Sequence, residues 1–380
     1  MDFELQWLLL GLPVAFALGW LASRFDLRQW KREQKESPKA YYQGLNLLLN
    51  EQHDKAIDAF IEAVQHDPDT TALHFALGNL FRRRGEYERA VRVHEHLLQR
   101  ADLSAAERER AQHALAQDFM KAGLFDRAQQ AFEALEGTPF DTEARLALLA
   151  LHERSREWRA AAEMAARLER SGSGSFATRI AHHWCELAAE ADARQQGAEA
   201  DAALQRAREA APQSPRPLIM AGQRALARGD RREALAQWGT LMAAHPGAFN
   251  LVAHDYADAA LALGEAGAAL ERLDALYRRQ PSGDLLAALG RLDADAARQR
   301  ARTLAHLKQS GSLSAAQALL AGDGAGGEET QAVRDAVARA ARPLQRYRCA
   351  ACAFEAQNYF WQCPGCLGWD TYPPLRQEDL

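Results

Sequence analysis

One alanine recurs through the chain at an interval close to 34 residues, usually followed by apolar residues four and seven positions later. The alanines are Ala56, Ala90, Ala128, Ala161, Ala200, Ala234 and Ala269, and their separations are 34, 38, 33, 39, 34 and 35 residues. A repeat of this length is one supersecondary unit, which buries its apolar face only by stacking on its neighbours. The interval therefore predicts a stack of helical hairpins.

The small and large residues inside each unit support this interpretation. In the second unit, Gly78 falls on the first helix, Gly85 marks the turn and Ala90 falls on the second helix. Small residues let antiparallel helices approach closely, and glycine ends a helix. The pattern is that of the tetratricopeptide repeat. Only the fourth of the seven clear units, with Leu148, Trp158, Ala161 and Leu168, lacks the small residue at its eighth position.

The repeats predict an all-α solenoid over residues 37–320, with about seven clear units and a degenerate one. Residues 282–320 continue as helices without a clean match, as a degenerate eighth repeat or a cap. Such a stack should form a right-handed superhelix with a concave surface that binds peptides or proteins. We expect no catalytic residue and no enzyme activity.

Composition narrows the function further. The chain has 380 residues, a net charge of -5 and a mean hydropathy of -0.39. These values exclude a multi-span membrane protein and argue against a protein that binds nucleic acid through a basic surface.

The N-terminal end differs from this average. From Leu5 to Ala22 the sequence is LQWLLLGLPVAFALGWLA, a run long enough as a helix to span roughly 27 Å. We interpret residues 1–23 as a transmembrane anchor. A buried core helix is an alternative, and so is a cleaved signal peptide, although Asp2 and Glu4 stand where a signal peptide is basic.

A basic stretch, residues 24–36, follows the apolar run as a juxtamembrane linker. Because positive charge favours the cytoplasmic side, it predicts a single-pass protein whose C-terminal body is cytoplasmic. The same residues could contact anionic lipid headgroups, but a role in topology alone explains them equally well.

Four cysteines near the C-terminus form the strongest chemical motif. Cys349 and Cys352 are separated by two residues, Cys363 and Cys366 likewise, and ten residues lie between the pairs. This spacing lets two tight turns present four sulfurs to one metal ion. We favour zinc over iron; an iron electron-transfer site and a disulfide pair are the alternatives.

The metal-binding domain is expected over residues 343–380, after a linker or last helix at 321–342. A domain this small needs its metal to fold. Its aromatic residues exceed what it can bury internally, so some of them should pack against the last helices of the repeat stack. These residues are Phe354, Trp361, Trp369 and Tyr372.

Other motifs carry little weight. Gly322, Gly324 and Gly327 match a dinucleotide-binding pattern, but the strand that this pattern requires does not precede them. We therefore interpret the segment as a flexible linker. The clusters His94-Glu95-His96 and His182-His183 lack the spacing of a helical metal site. Cys185 is interpreted as a buried small apolar residue.

The combination of an anchor, tetratricopeptide repeats and a terminal four-cysteine ribbon resembles the lipopolysaccharide assembly protein B family of Gram-negative bacteria. The resemblance covers essentially the whole chain and rests on LLLGLPVAFALGWLASR, QGLNLLLNEQHDKAIDAFIEAV and YRCAACAFEAQNYFWQCPGCLGWDTYPP. It implies a rubredoxin-like metal-binding domain, although Ala353 and Leu367 replace the glycine usual after the second cysteine of each knuckle.

The resemblance also implies a function. Members of this family are inner-membrane adaptors that present the LpxC deacetylase to the FtsH protease and so regulate lipopolysaccharide synthesis. They are associated with an inner-membrane regulator of that synthesis and with lipopolysaccharide assembly and export proteins. The alternatives are a membrane-tethered iron electron-transfer protein and a general envelope-assembly scaffold. The sequence leaves the oligomeric state open, a homo-oligomer included.

Overall fold

The computed structural model describes residues 42–66 apart from 48 and 51, residues 70–322 and residues 328–380, together with positions 16 and 20. Apart from those two positions, the predicted anchor lies outside the described residues, as do the basic linker and most of the glycine motif. Among the helices that the structure describes, none is long and apolar enough to cross a membrane. The chain forms two compact units, Met1–Arg156 and Glu157–Leu380.

Among its described residues, the regular secondary structure of the first unit is entirely helical. After a helical stretch at 42–47, its helices are α1 His53–His66, α2 Thr71–Arg84, α3 Tyr87–Gln99, α4 Ala105–Ala122, α5 Phe125–Glu133 and α6 Asp141–Arg154. Helices that follow each other in the chain pack against each other, as a stack of hairpins requires.

The second unit continues with helices and ends in a small two-stranded domain. Its helices are α7 Trp158–Arg170, α8 Ala177–Ala193, α9 Gly197–Ala210, α10 Arg216–Ala227, α11 Arg231–Ala244, α12 Ala253–Ala262, α13 Ala266–Arg279, α14 Gly283–Leu292, α15 Ala296–Ser310, α16 Leu313–Gly322 and α17 Glu328–Leu344, with 3-10 helices at Pro246–Val252 and Gln377–Asp379. Strands β1 Tyr347–Arg348 and β2 Glu355–Ala356 pair antiparallel, Tyr347 opposite Ala356. The helices expected over 282–320 are confirmed as α14, α15 and α16.

The recurring alanines lie where the helices approach each other. All seven are at most 3% exposed. Glycines on the first helices serve the same purpose: a Cβ on Gly78 would lie 2.5 Å from the His94 ring, and one on Gly222 would lie 2.2 Å from the Trp238 ring. Any larger residue at these two positions would require the ring or the helix that carries it to shift.

The hairpin turns have a second requirement, which concerns the backbone. From the second repeat to the seventh, the residue five positions before the repeat alanine has a positive φ in every case. Four of these six residues are glycines, with open space where a Cβ would be, so conformation and not crowding favours glycine there. In the fourth and fifth repeats the position holds Arg156 and Gln195, at φ 59° and 61°.

Candidate metal centre

Two knuckles with the same backbone pattern build the candidate metal centre. In the first knuckle, Cys349 N donates to Phe354 O and Ala353 N donates to Cys349 O, both at 2.9 Å. In the second, Cys363 N donates to Gly368 O and Leu367 N donates to Cys363 O, both at 2.8 Å. Ala353 and Leu367, the departures from the rubredoxin pattern, adopt the left-handed conformation that favours glycine, at φ 61° and 59°.

These turns bring the four predicted sulfur atoms together. All four lie within 4.8 Å of one another. The Sγ atoms of Cys349 and Cys366 are 3.8 Å apart, and those of Cys352 and Cys363 are 3.6 Å apart. Four sulfurs at about 2.3 Å from one tetrahedral ion would be about 3.8 Å apart, whereas a disulfide needs about 2.05 Å. The donor set and its spacing therefore fit one metal ion, and four thiolates suit zinc or iron alike.

One side of the centre is buried and the other faces outward. Cys349 and Cys363 are buried, whereas Cys352 and Cys366 are exposed. The inner side packs on Tyr372, whose hydroxyl lies 3.9 Å from the Cys363 Sγ and donates to Phe354 O at 3.2 Å. The aromatic ring of Tyr372 thus fills the small core beneath the knuckles.

The second knuckle is held against the helices by Trp369. Its ring stacks on the His182 ring of α8, with centroids 4.8 Å apart and planes 13° apart, and meets the Trp158 ring of α7 edge to face. The side chain of Trp361, at the other end of this knuckle, packs against the main core of the second unit. Arg216 of α10 lies 5.5 and 5.9 Å from these two indole rings. The domain therefore docks on α7, α8 and α10.

A polar network crosses the same interface. His182 Nε2 lies 2.7 Å from Asp370 Oδ2, and its Nδ1 lies 3.3 Å from Arg216 Nη1. Arg216 Nη2 in turn donates to Glu186 at 2.6 Å. Since His182 and Arg216 are buried, their polar atoms need these partners.

The C-terminal tail fixes the domain at a second place. The Asp379 carboxylate accepts from the backbone N of Gly283 at 3.0 Å, at the start of α14. Glu378 accepts from the backbone N of Ser314 at 2.9 Å, at the start of α16, and Arg376 Nε donates to Asp284 at 3.1 Å. Carboxylates at helix N-termini satisfy amides that have no intrahelical partner. Burial raises the pKa of Asp379 to about 6.

The expected packing of the metal domain on the helices is confirmed. The expectation that it packs on the last helices of the repeat stack is correct only in part. The tail reaches the late helices α14 and α16, whereas the tryptophans dock on α7, α8 and α10. Tyr372 stays inside the domain, and Phe354 is 43% exposed. Sequence reasoning also missed Asp370, since its partner His182 lies 188 residues away and no local pattern marks the pair.

The remaining candidate residues have structural roles. His94 is buried and its Nδ1 contacts Asp118 Oδ2, so it is one of the large side chains inside the repeat. Cys185 is fully buried, and burial raises the pKa of its thiol to about 12. A thiol that stays protonated is a poor nucleophile, which agrees with the interpretation of Cys185 as a packing residue.

Fold and site together define a class: a solenoid of helical hairpins that carries a docked four-cysteine metal domain. A family model described as the rubredoxin metal binding domain matches residues 347–374. The chain is 32% identical to lipopolysaccharide assembly protein B of Escherichia coli strain K12 over 386 residues, 99% of each chain. It is 26% identical to the protein of that name from Haemophilus influenzae over 413 residues, again 99% of each. The chain belongs to the lipopolysaccharide assembly protein B family.

The overlap with solved structures of other repeat proteins is loose. The C-terminal part of a TPR repeat-containing protein from Cytophaga hutchinsonii aligns with 70% of this chain and 94% of its own, at 13% identity and a TM-score of 0.38. So loose an overlap carries no information about function.

Proposed function

We propose that this protein is a non-catalytic adaptor of the inner membrane that supports lipopolysaccharide assembly and regulates lipopolysaccharide synthesis. In this proposal, it presents the LpxC deacetylase to the FtsH protease. Residues 1–23 anchor it as a single-pass protein with a cytoplasmic body, and an inner-membrane regulator and assembly or export proteins are further partners.

The docked metal domain is the observation that carries the proposal. An adaptor must hold two proteins in a defined relative position, and stacked repeats with a rigidly attached domain offer such a frame. The names of the two relatives support a role in lipopolysaccharide assembly. The anchor would keep adaptor and protease in one membrane, which makes their encounter effectively intramolecular.

The metal in this proposal is zinc, with a structural task. Because the domain has few buried residues of its own, the metal supplies a large part of its folding free energy. Loss of the metal should then release Trp361 and Trp369, which flank the second knuckle, from their helices.

The test compares cells that lack this protein with cells that produce the Cys363→Ser, Cys366→Ser double variant. We expect both to contain more LpxC with a longer half-life than cells with the unaltered chain. The Cys185→Ala variant, which changes a buried cysteine outside the ligand set, should leave LpxC turnover unchanged.

Unchanged LpxC half-life in both the depleted and the double-variant cells would refute the adaptor function. Metal analysis of the purified full chain decides between the metals: zinc in a colourless protein supports the structural role. A coloured, reducible iron protein would favour electron transfer instead.

A further inference from the structure

Within the described part of the chain, the C-terminus covers parts of three helices in the second unit. In that unit the metal domain contacts α8 and α10, and the tail contacts α14. In the first unit, the described residues of α1, α2 and the helical stretch at 42–47 surround a cavity of about 370 Å³. This volume is at the lower end of the range of ligand pockets, roughly 300–1,000 Å³. We call it the N-terminal cavity.

Apolar side chains form the body of the N-terminal cavity. Phe60 and Leu80 are buried behind it, and Leu45 and Ala76 are partly exposed along it. These four residues provide an apolar surface sized for one or two side chains of a partner, whose burial would contribute on the order of 25 cal/mol per Å².

The other lining residues are polar: Asn79, Arg82 and Arg83. Arg82 is fixed by Asp118, to which its Nη1 donates at 2.8 Å, and by Asn79, to whose Oδ1 its Nη2 donates at 2.7 Å. The second bond orients the Asn79 amide and leaves its Nδ2 as the group that can donate to a ligand. Arg83 follows with an exposed guanidinium. The cavity thus combines an apolar body with a rim of N–H donors.

We propose that the N-terminal cavity binds a short acidic segment of a protein partner. An apolar side chain of that segment enters between Leu45 and Ala76, and a neighbouring carboxylate pairs with Arg83. This inference rests on the proposed adaptor function, because it identifies the kind of segment that the repeats would take from a partner.

Charge decides between the candidate occupants. The charge of Arg82 is compensated by Asp118, so Arg83 supplies the positive charge at the rim. The chain's own residues 24–39 contain six lysines and arginines and three acidic residues, so Arg83 repels them on balance. An acidic segment meets the opposite condition. Since a bidentate bond between arginine and a carboxylate is both stronger and more directional than a neutral one, it would also fix the register of the bound segment.

The test uses the full chain in detergent micelles and a fluorescein-labelled heptapeptide of alternating aspartate and leucine. Fluorescence anisotropy should show saturable binding, and the same peptide with lysine for aspartate should not bind. Ala76→Phe fills the cavity and should weaken binding at least about tenfold. Ala72→Phe places the same side chain one turn earlier on α2, outside the cavity, and should have little effect.

A second pair of variants tests the charge. Arg83→Glu should also weaken binding about tenfold, which corresponds to about 1.4 kcal/mol. Arg84→Glu is the matched control, because Arg84 pairs with Asp54 and Glu86 and does not line the cavity. Equal thermal unfolding temperatures of the four variants would show that the fold is retained.

Three results would overturn the inference: no binding up to about 1 mM peptide, equal binding of the lysine peptide, or binding unaffected by both Ala76→Phe and Arg83→Glu. The adaptor function fails by a different measurement. If LpxC half-life responds to depletion while the cavity variants bind the peptide normally, the adaptor function stands and the partner segment binds elsewhere.

Discussion

At the scale of single residues, the hairpin turns keep the same left-handed backbone conformation in successive repeats even where the residue is not glycine. Gly85, Gly123, Gly229 and Gly264 have φ between 75° and 83°, five residues before their repeat alanines. Gln195 holds the same place in the fifth repeat with a side chain that disfavours it. The neighbouring helices impose this conformation on Gln195, and the resulting backbone strain lowers the stability of the folded state.

Replacing Gln195 by glycine should therefore stabilise the fifth repeat. A left-handed conformation destabilises the folded state by about 1–2 kcal/mol for an L-residue, and glycine avoids this strain. Glycine also gives the unfolded chain more conformational freedom, which offsets about 0.5–1 kcal/mol of the stabilisation. We expect a net gain of about 0.5–1 kcal/mol, visible as slower amide hydrogen exchange in α8 and α9.

The control reverses the change in the next repeat. Gly229→Ala adds a methyl group that has room around it, so only the φ of 83° opposes it. It should speed exchange in α10 and α11 by a similar free energy. Faster exchange in α8 and α9 of the Gln195→Gly variant would contradict this explanation of the turns.

At the scale of elements, the second knuckle connects metal binding to the solenoid. Gln362 and Trp369 form a bridge across its base, so the turn that presents Cys363 and Cys366 also places the indole of Trp369 on α8. The cluster of four cysteines could be predicted from sequence because it depends on spacings of two and ten residues. The docking place could not, since it depends on which helix face a distant aromatic ring meets.

Trp369→Ala should detach the metal domain from the helices while the knuckles stay intact. Loss of a partly buried indole that stacks on His182 should cost about 2–3 kcal/mol, somewhat below the 3–5 kcal/mol typical of fully buried tryptophan. Limited proteolysis of the zinc-loaded full chain should then release a fragment containing residues 347–380, as identified by mass spectrometry.

Phe360→Ala is the matched control, because it removes an exposed aromatic ring that contacts Tyr372 inside the same domain. It should leave the domain attached. A Trp369→Ala chain that resists proteolysis as well as the unaltered chain does would show that the tail contacts alone are sufficient for docking.

At the scale of the whole molecule, some features can be predicted from short sequence patterns and others depend on contacts between distant residues. The hairpins and the four-cysteine domain follow from short, regular spacings, so a single sequence predicts them. The attachment of the C-terminus follows from contacts between distant residues, such as Asp284 with Arg376 and His182 with Asp370, and has no local signature. The structure adds that in the second unit α8, α10 and α14 are partly covered by the chain's own C-terminus.

The proposed anchor gives the whole-molecule prediction. If residues 1–23 serve only to keep the adaptor in the membrane of the protease, then a chain that lacks them should fold and bind metal but leave LpxC as long-lived as depletion does. Tethering raises effective affinity by about 10²–10⁴-fold, so its loss should abolish delivery at cellular concentrations.

An unrelated single-span helix in place of residues 1–23 should restore LpxC turnover. If that replacement fails while the amount and metal content of the protein are normal, the anchor makes specific contacts of its own. A fully active chain without residues 1–23 would show that membrane attachment is not needed for delivery at all.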